Sequence, residues 1–467
     1  MNSRYIHHIP LAMAALALMS LCVCRTQAQS ALPPLIPSSG LVNCSPAPCV
    51  LSPRQASEGG YEVADSPIIA DPLAPTHLLL GSDDANCQFD FSFHTSTDGG
   101  SSWNRYCPSQ GIDGYFPGDD PMVGYDRNGV AYIAGTYAHG GYDTGLIGIQ
   151  SSTDGVNWSQ PVTALKEYEY PFGPWLTVDT NVGSPYLNSL YISAVATGTH
   201  SWRVYVSHSN DGGATWQAVA VAPAQISPKA DQYTNTAIGK DGTVYLTWMY
   251  CNGVGTGPCG SDDLAYAVFS KSSDGGSTWS TPILITPVTL LPGLSILPNT
   301  SIGMPFYPVI GMDNSDGPYG GNLYVVMYTW TGTYMRVQVV RSTDGGNSWS
   351  EPVPVAPPSD THDQFFPWLS VSSTGLVGVS WLDRRNDPAN IDYQAFAAIS
   401  SDGGQTFPNV QLTTAFSNPN VNGYEDNAWM GNYTGNTWDG PNYFVAAWMD
   451  SSNGVDMQDY VGGIRLK

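Results

Sequence analysis

Carboxylates stand at a recurring place in this chain, immediately before runs of strand-forming residues. Asp65, Asp119 and Asp120, Glu167 and Glu169, Asp231, Asp363, Glu425 and Asp426 all hold that position. If a common scaffold brings them to one point, three chemistries are open. Crowded carboxylates raise one another's pKa, so one stays protonated as an acid beside an ionised partner. Such a pair is what glycosidic bond cleavage uses. The same oxygens could ligate a hard cation such as Ca2+. They could also simply cap strand ends and accept backbone amides. For the first chemistry the candidate catalytic residues are Asp65, Asp120, Glu169, Asp363 and Asp426, with Asp231, His362 and Tyr170 as substrate contacts. Arg384 and Arg385, in Trp381-Leu382-Asp383-Arg384-Arg385-Asn386-Asp387, could hold a carboxylate or sulfate through paired guanidiniums. The competing reading is an internal ion pair with Asp383 or Asp387.

The elements that must position these residues are announced by a repeated phrase. Ser96-Thr97-Asp98-Gly99-Gly100-Ser101-Ser102-Trp103 has near-copies around Asp211, Asp274 and Asp344; a copy around Asp402 ends in Phe407, and one around Asp154 is a residue shorter. These Asp residues are spaced 56 to 70 residues apart, a period that marks a repeat architecture. Gly-Gly supplies the positive φ of a tight turn, and the preceding Asp can bond its own backbone across it. Between copies run alternating β-branched and aromatic residues bounded by Gly, Asn and Asp, such as Thr243-Val244-Tyr245-Leu246-Thr247-Trp248, with no helical periodicity. Two strands, then a third, the phrase, and a fourth make a four-stranded propeller blade. First-half segments open near Asp65, Asp120, Pro174, Asn235, Pro308, Pro367 and Asn427, seven in number, but six carry the phrase. The seventh stops after its third strand near the carboxyl terminus. Its missing strand is expected from residues 29–57, which would close the ring and remove a free edge.

The repeated phrase resembles the Asp-box, or BNR, repeat of the sialidase superfamily of β-propellers. That resemblance implies an all-β propeller in which the box is a structural turn, remote from the active site. It also supplies six blades as the alternative to seven, because sialidase propellers have six. Sialidases hold their substrate with three arginines, an Asp acid, and a Tyr nucleophile activated by a Glu. The first arginine sits in an Arg-Ile-Pro-like motif that this chain lacks, and Arg384 and Arg385 are adjacent rather than on separate blades. The implied role is therefore a sialidase-like, carbohydrate-directed propeller without a mappable arginine triad, either a glycosidase or a non-catalytic glycan- or protein-binding module. In either case the site belongs on the face opposite the boxes, where the long loops gather.

Composition bounds the rest. The apolar run Leu11–Cys24 followed by Thr26-Gln27-Ala28 reads as a signal peptide over 1–28, ahead of a Pro- and Ser-rich leader over 29–57 and a propeller over 58–467. Export and the even set Cys44, Cys49, Cys87, Cys107, Cys251 and Cys259 point to disulfides, with sequence neighbours as the simplest pairing. A net charge of −23 argues against nucleic acid or an anionic membrane as partner. A glycan ligand, a monomer, no membrane span and no required cofactor beyond an optional Ca2+ complete the expectation.

Overall fold

A computed structural model describes residues 36–37, 46–74, 76–139, 144–166, 169–198, 200–253, 265–291, 295–424 and 428–467. The proposed signal peptide, Cys44, Cys259 and Asp426 lie outside these residues. The chain forms seven antiparallel sheets of four principal strands, a seven-bladed propeller. The innermost strand of blade 1 comes in two pieces, Val63–Ala64 and Ile68–Ala70. Those of blades 2 to 7 are Phe116–Tyr125, Tyr170–Val178, Ala230–Ile238, Val309–Met312, Gln364–Val371 and Gly435–Asp439. Seven blades, not six, follow from this pairing.

Blade 7 takes three strands from the carboxyl terminus, Gly435–Asp439, Tyr443–Asp450 and Gln458–Arg465, and its fourth, Cys49–Gln55, from the other end of the chain. That fourth strand pairs antiparallel, Cys49 opposite Arg465 and Leu51 opposite Gly463, then after a bulge Arg54 opposite Val461. Leu51 is buried against Ile68, Leu78, Leu80, Val445 and Val461, so closure also joins the cores of blades 7 and 1. The strand covers an edge whose amides would otherwise face water unpaired.

The repeated phrase folds as one turn in every copy. In blade 1 the Ser96 hydroxyl donates to Asp98 Oδ1 (2.9 Å) and accepts the amide of Gly100 (2.8 Å). Asp98 in turn accepts the amide of Ser102 on Oδ1 and its hydroxyl on Oδ2. Trp103 Nε1 donates to the Gly100 carbonyl. The same network recurs around Asp211, Asp274 and Asp344. In the short copy Asn157 replaces the closing hydroxyl, donating to Asp154 Oδ2. At Gly346 the φ is +87° and an added Cβ would lie 2.3 Å from the Phe269 ring, so both conformation and space demand glycine.

The turns also fasten blades together. The residue just before the leading serine reaches the first glycine carbonyl of the next blade's turn: Thr95 to Gly155, Lys271 to Gly345 and Arg341 to Gly403. Arg341 and Lys271 are thereby committed to structure. Cys87 and Cys107 form a disulfide, and Cys49 and Cys251 are each disulfide-bonded as well. No helix among the described residues is long and apolar enough to cross a membrane.

Two stability measurements check this architecture. Ser342→Ala strips the buried Gly346 amide of its acceptor, and urea denaturation is expected to show a loss of ~1–3 kcal/mol. Leu51→Ala, in the closing strand, is expected to cost ~2–5 kcal/mol in the same assay. An unchanged transition midpoint for Leu51→Ala would mean that the strand does not close the ring.

Candidate functional site at the axis

Five of the seven innermost strands are broken at the same place by a residue in the left-handed region. These are Asp65, Asp120, Gly173, Tyr233 and Phe366, with φ of 56°, 56°, 54°, 50° and 49°. Pairing with the second strand slips at this point in blades 2, 3, 4 and 6. The slip is a β-bulge, which re-aims a side chain out of the normal alternation. A bulky aromatic at φ near 50° is an outlier that the surrounding packing must hold in place. The bulges lie where the innermost strands enter from the loop face, and they bring unlike side chains together around the axis.

In blades 1 and 2 the side chains so placed are acids. One oxygen each from Asp65, Asp83 and Asp119 lies within 4.8 Å of the others. Asp65 Oδ1 accepts two backbone amides from the approach to blade 7, Asn432 at 2.5 Å and Tyr433 at 2.9 Å. Asp120 accepts from Thr136 and Asn432. Asp65, Asp83 and Asp120 are buried, whereas Asp119 is half-exposed and is the member that solvent reaches. Among the described residues no lysine, arginine or histidine forms an ion pair with any of the four. Burial, reinforced by the neighbouring acids, pushes Asp65 up to about 7 and holds Asp83 and Asp120 well above the ordinary carboxylate range.

Aromatic rings surround this cluster. Tyr233 packs on Tyr307 (4.5 Å between centroids), Tyr307 on Tyr433 (5.5 Å), and Trp368 on Tyr433 (5.9 Å). The Tyr433 hydroxyl donates to the Pro121 carbonyl, tying blade 7 to blade 2. Phe172, Tyr233 and Asn432 keep part of their surface exposed near the mouth. Farther along the axis a cavity of about 220 Å³ runs between the innermost strands, past Trp175, Trp368, Ile310 and Val123, with Asn235, Thr236 and Asn436 also in its wall. The acids do not line it.

The other residues expected from sequence lie apart from this cluster. Asp363 is fully buried and holds loops together: it accepts from the Met335 amide, Arg384 and Asn390. Arg384 is fully buried, paired with Asp363 and donating to the Pro298 carbonyl, so it is not offered to a ligand. Arg385 pairs with Asp383 and Asp360 and lies over the Phe396 ring. The internal ion-pair reading of the two arginines therefore describes their geometry, with Asp363 and Asp360 as additional partners. His362 sits beside Asp360 at 3.4 Å. Asp231 accepts from Trp248 Nε1 and is buried within its own blade. Glu169 is exposed, and Tyr170 packs its ring against Gly145.

Of the acids that sequence places before inner strands, the described residues bring together Asp65, Asp119 and Asp120 from blades 1 and 2, because only these blades carry Asp at the bulge; Glu167, Glu425 and Asp426 lie outside the described residues. Asp83 had no place among the sequence candidates. It is the penultimate residue of the second strand of blade 1, Leu78–Asp84, directly opposite Ala64, beside Asp65. The adjacent pair Asp83-Asp84 at that strand end was the available signal.

Fold and site together define a seven-bladed, four-stranded propeller with a carboxylate cluster at its axis. No protein-family model matches the chain. A xyloglucanase from Paenibacillus sp is 24% identical over 305 residues, 61% of this chain and 26% of that protein. The chain therefore spans about a quarter of the length of that relative. Among solved structures, a PL25 ulvan lyase superposes with a TM-score of 0.52 at 12% identity, covering 89% of this chain and 96% of the lyase. An intramolecular trans-sialidase from Ruminococcus gnavus gives 0.48 at 14% identity, over 71% and 91% of the two chains.

Asp231 supplies a pH test separate from the cluster. Burial raises its carboxyl to about 7, against an ordinary value of 3.8. The folded state then binds a proton that the unfolded state has released, so this contribution is whole below about pH 4 and is lost as pH rises toward 7. Asp231→Asn is expected to flatten the fall in melting temperature between those limits. Parallel profiles for variant and wild type would contradict the assignment.

Proposed function

We propose that the chain is a secreted, glycan-directed propeller, sialidase-like in its repeated turns, whose ligand seats at the loop-face mouth of the axis. One observation carries this reading. Asp119, Asn432, Tyr233 and Phe172 are all partly exposed beside the buried carboxylates: Asn432 donates to Asp120, and Phe172 packs on Tyr233 with 4.9 Å between centroids. Aromatic faces beside a few fixed polar groups are what a sugar ring needs for stacking and hydroxyl recognition. The likeness to a xyloglucanase supports a carbohydrate ligand, and the disulfides fit an exported protein.

Hydrolysis is the second reading, and the same likeness favours it. Cleavage by a carboxyl pair requires both groups to reach the glycosidic bond. Asp65 and Asp120 are buried at the axis, whereas Asp119 is within reach of solvent. Recognition of a glycan is therefore better supported by this geometry than its cleavage.

The test is incubation of the full chain with oligosaccharides from xyloglucan, arabinan, ulvan and sialylated glycans, following binding by calorimetry and products by mass spectrometry. At least one class is expected to bind, and Tyr233→Ala and Asp119→Asn each to weaken it about tenfold, the loss of one good contact. Product formation lost in Asp119→Asn would promote the hydrolytic reading. A glycan-directed role is refuted if none of these four classes is bound or cleaved.

A further inference from the structure

The axial carboxylates pose an electrostatic problem that the glycan reading leaves untouched. Asp65, Asp83 and Asp119 bring oxygens within 4.8 Å of one another, and Asp120 adjoins them. A fifth carboxylate, Asp459, is buried in the same region and bonded to Ser82. The described residues offer no cationic side chain in an ion pair with Asp65, Asp83, Asp119 or Asp120. Buried charges of one sign demand either protons or a counter-ion.

Unsatisfied atoms favour the counter-ion. Asp65 Oδ2 and Asp83 Oδ1 are buried without a hydrogen-bond partner. A third orphan comes from outside the acids: the hydroxyl of Tyr307, buried and unpartnered, on a ring packed against Tyr433, whose amide donates to Asp65. Protons shared among the acids can bridge Asp65, Asp83 and Asp119, but they leave the Tyr307 hydroxyl, which lies outside the acid set, without a partner. A metal ion would use the orphaned oxygens.

We infer that Asp65, Asp83 and Asp119 form a binding site for a hard divalent cation of the calcium class, lodged where blades 1, 2 and 7 meet. All three donors are carboxylate oxygens, the ligand type that Ca2+, Mg2+ and Mn2+ take in preference to softer metals. Calcium–oxygen distances of about 2.3–2.6 Å put opposite ligands roughly 5 Å apart, compatible with the observed spacing. Asp65 and Asp83 belong to blade 1 and Asp119 to blade 2, while Asp65 also holds the backbone amides of Asn432 and Tyr433 ahead of blade 7. The ion would cross-link the blades beside the ring closure. Half-exposed Asp119 gives it a route to solvent.

The test uses the full chain, stripped with EDTA and then titrated with Ca2+, Mg2+, Mn2+ or Zn2+. Calorimetry is expected to give one Ca2+ per chain, and melting temperature to rise by several degrees, with Zn2+ less effective. Asp83→Asn and Asp119→Asn are expected to lose the response, while Asp231→Asn, a buried acid elsewhere, keeps it. If Asp83→Asn does not fold, the half-exposed Asp119→Asn decides alone. Absence of Ca2+, Mg2+ or Mn2+ binding to the wild type, or an undiminished response in Asp119→Asn, overturns the inference. Either result leaves the glycan assay unaffected.

Discussion

The ring depends on one antiparallel pairing between residues more than 400 positions apart in sequence. Cys49–Gln55 lies on Gln458–Arg465, and each supplies what the other lacks. Alone, blade 7 has three strands and an open ladder of amides. Closure satisfies that ladder and buries Leu51 and Val50, and blades 7 and 1 can then share a core. A propeller blade presses its faces on two neighbours, so a gap at one interface weakens both adjoining blades. Every axial contact described above presupposes that the circle is complete.

Closure also accounts for the position of the acids. Asp65 stands at the junction of the first and last blades, held by the amides of Asn432 and Tyr433. Tyr433 reaches on to the Pro121 carbonyl, and Tyr424 to the carbonyls of Glu62 and Asp83. The junction is therefore stitched mainly by hydrogen bonds to backbone groups, around carboxylates that gather without basic partners. Such a concentration of buried charge is costly for stability alone. A cluster of this kind, reached from solvent through Asp119 and ringed with tyrosines, has the character of a site. At the start of blade 6's innermost strand, by contrast, Arg384 pairs with Asp363, and Arg385 with Asp360 and Asp383.

Much of the architecture was legible because it is local. The Ser-x-Asp-Gly-Gly phrase closes its own turn through bonds spanning two to four residues, so composition and spacing were sufficient to read it. Counting seven inner segments against six phrases predicted the shared blade, since an unpaired edge has few other remedies. The links between successive turns, from Thr95, Lys271 and Arg341 to glycine carbonyls, were not legible, because they need the next blade's position.

The site was legible only as a list of residue types. Sequence alone determined that acids stand close to the inner strands; in the fold Asp65 lies between the two pieces of its strand and Asp120 inside Phe116–Tyr125. Tertiary structure decided which of them meet. Left-handed bulges turn Asp65 and Asp120 toward the axis, whereas Asp363 meets Arg384 and Asp231 meets Trp248 first. Asp83 enters from a neighbouring strand through a register that no local pattern encodes. The physical reason is one of range. A turn is specified by hydrogen bonds among adjacent residues, while a carboxylate's environment is set by whatever charge and surface the closed ring carries to it.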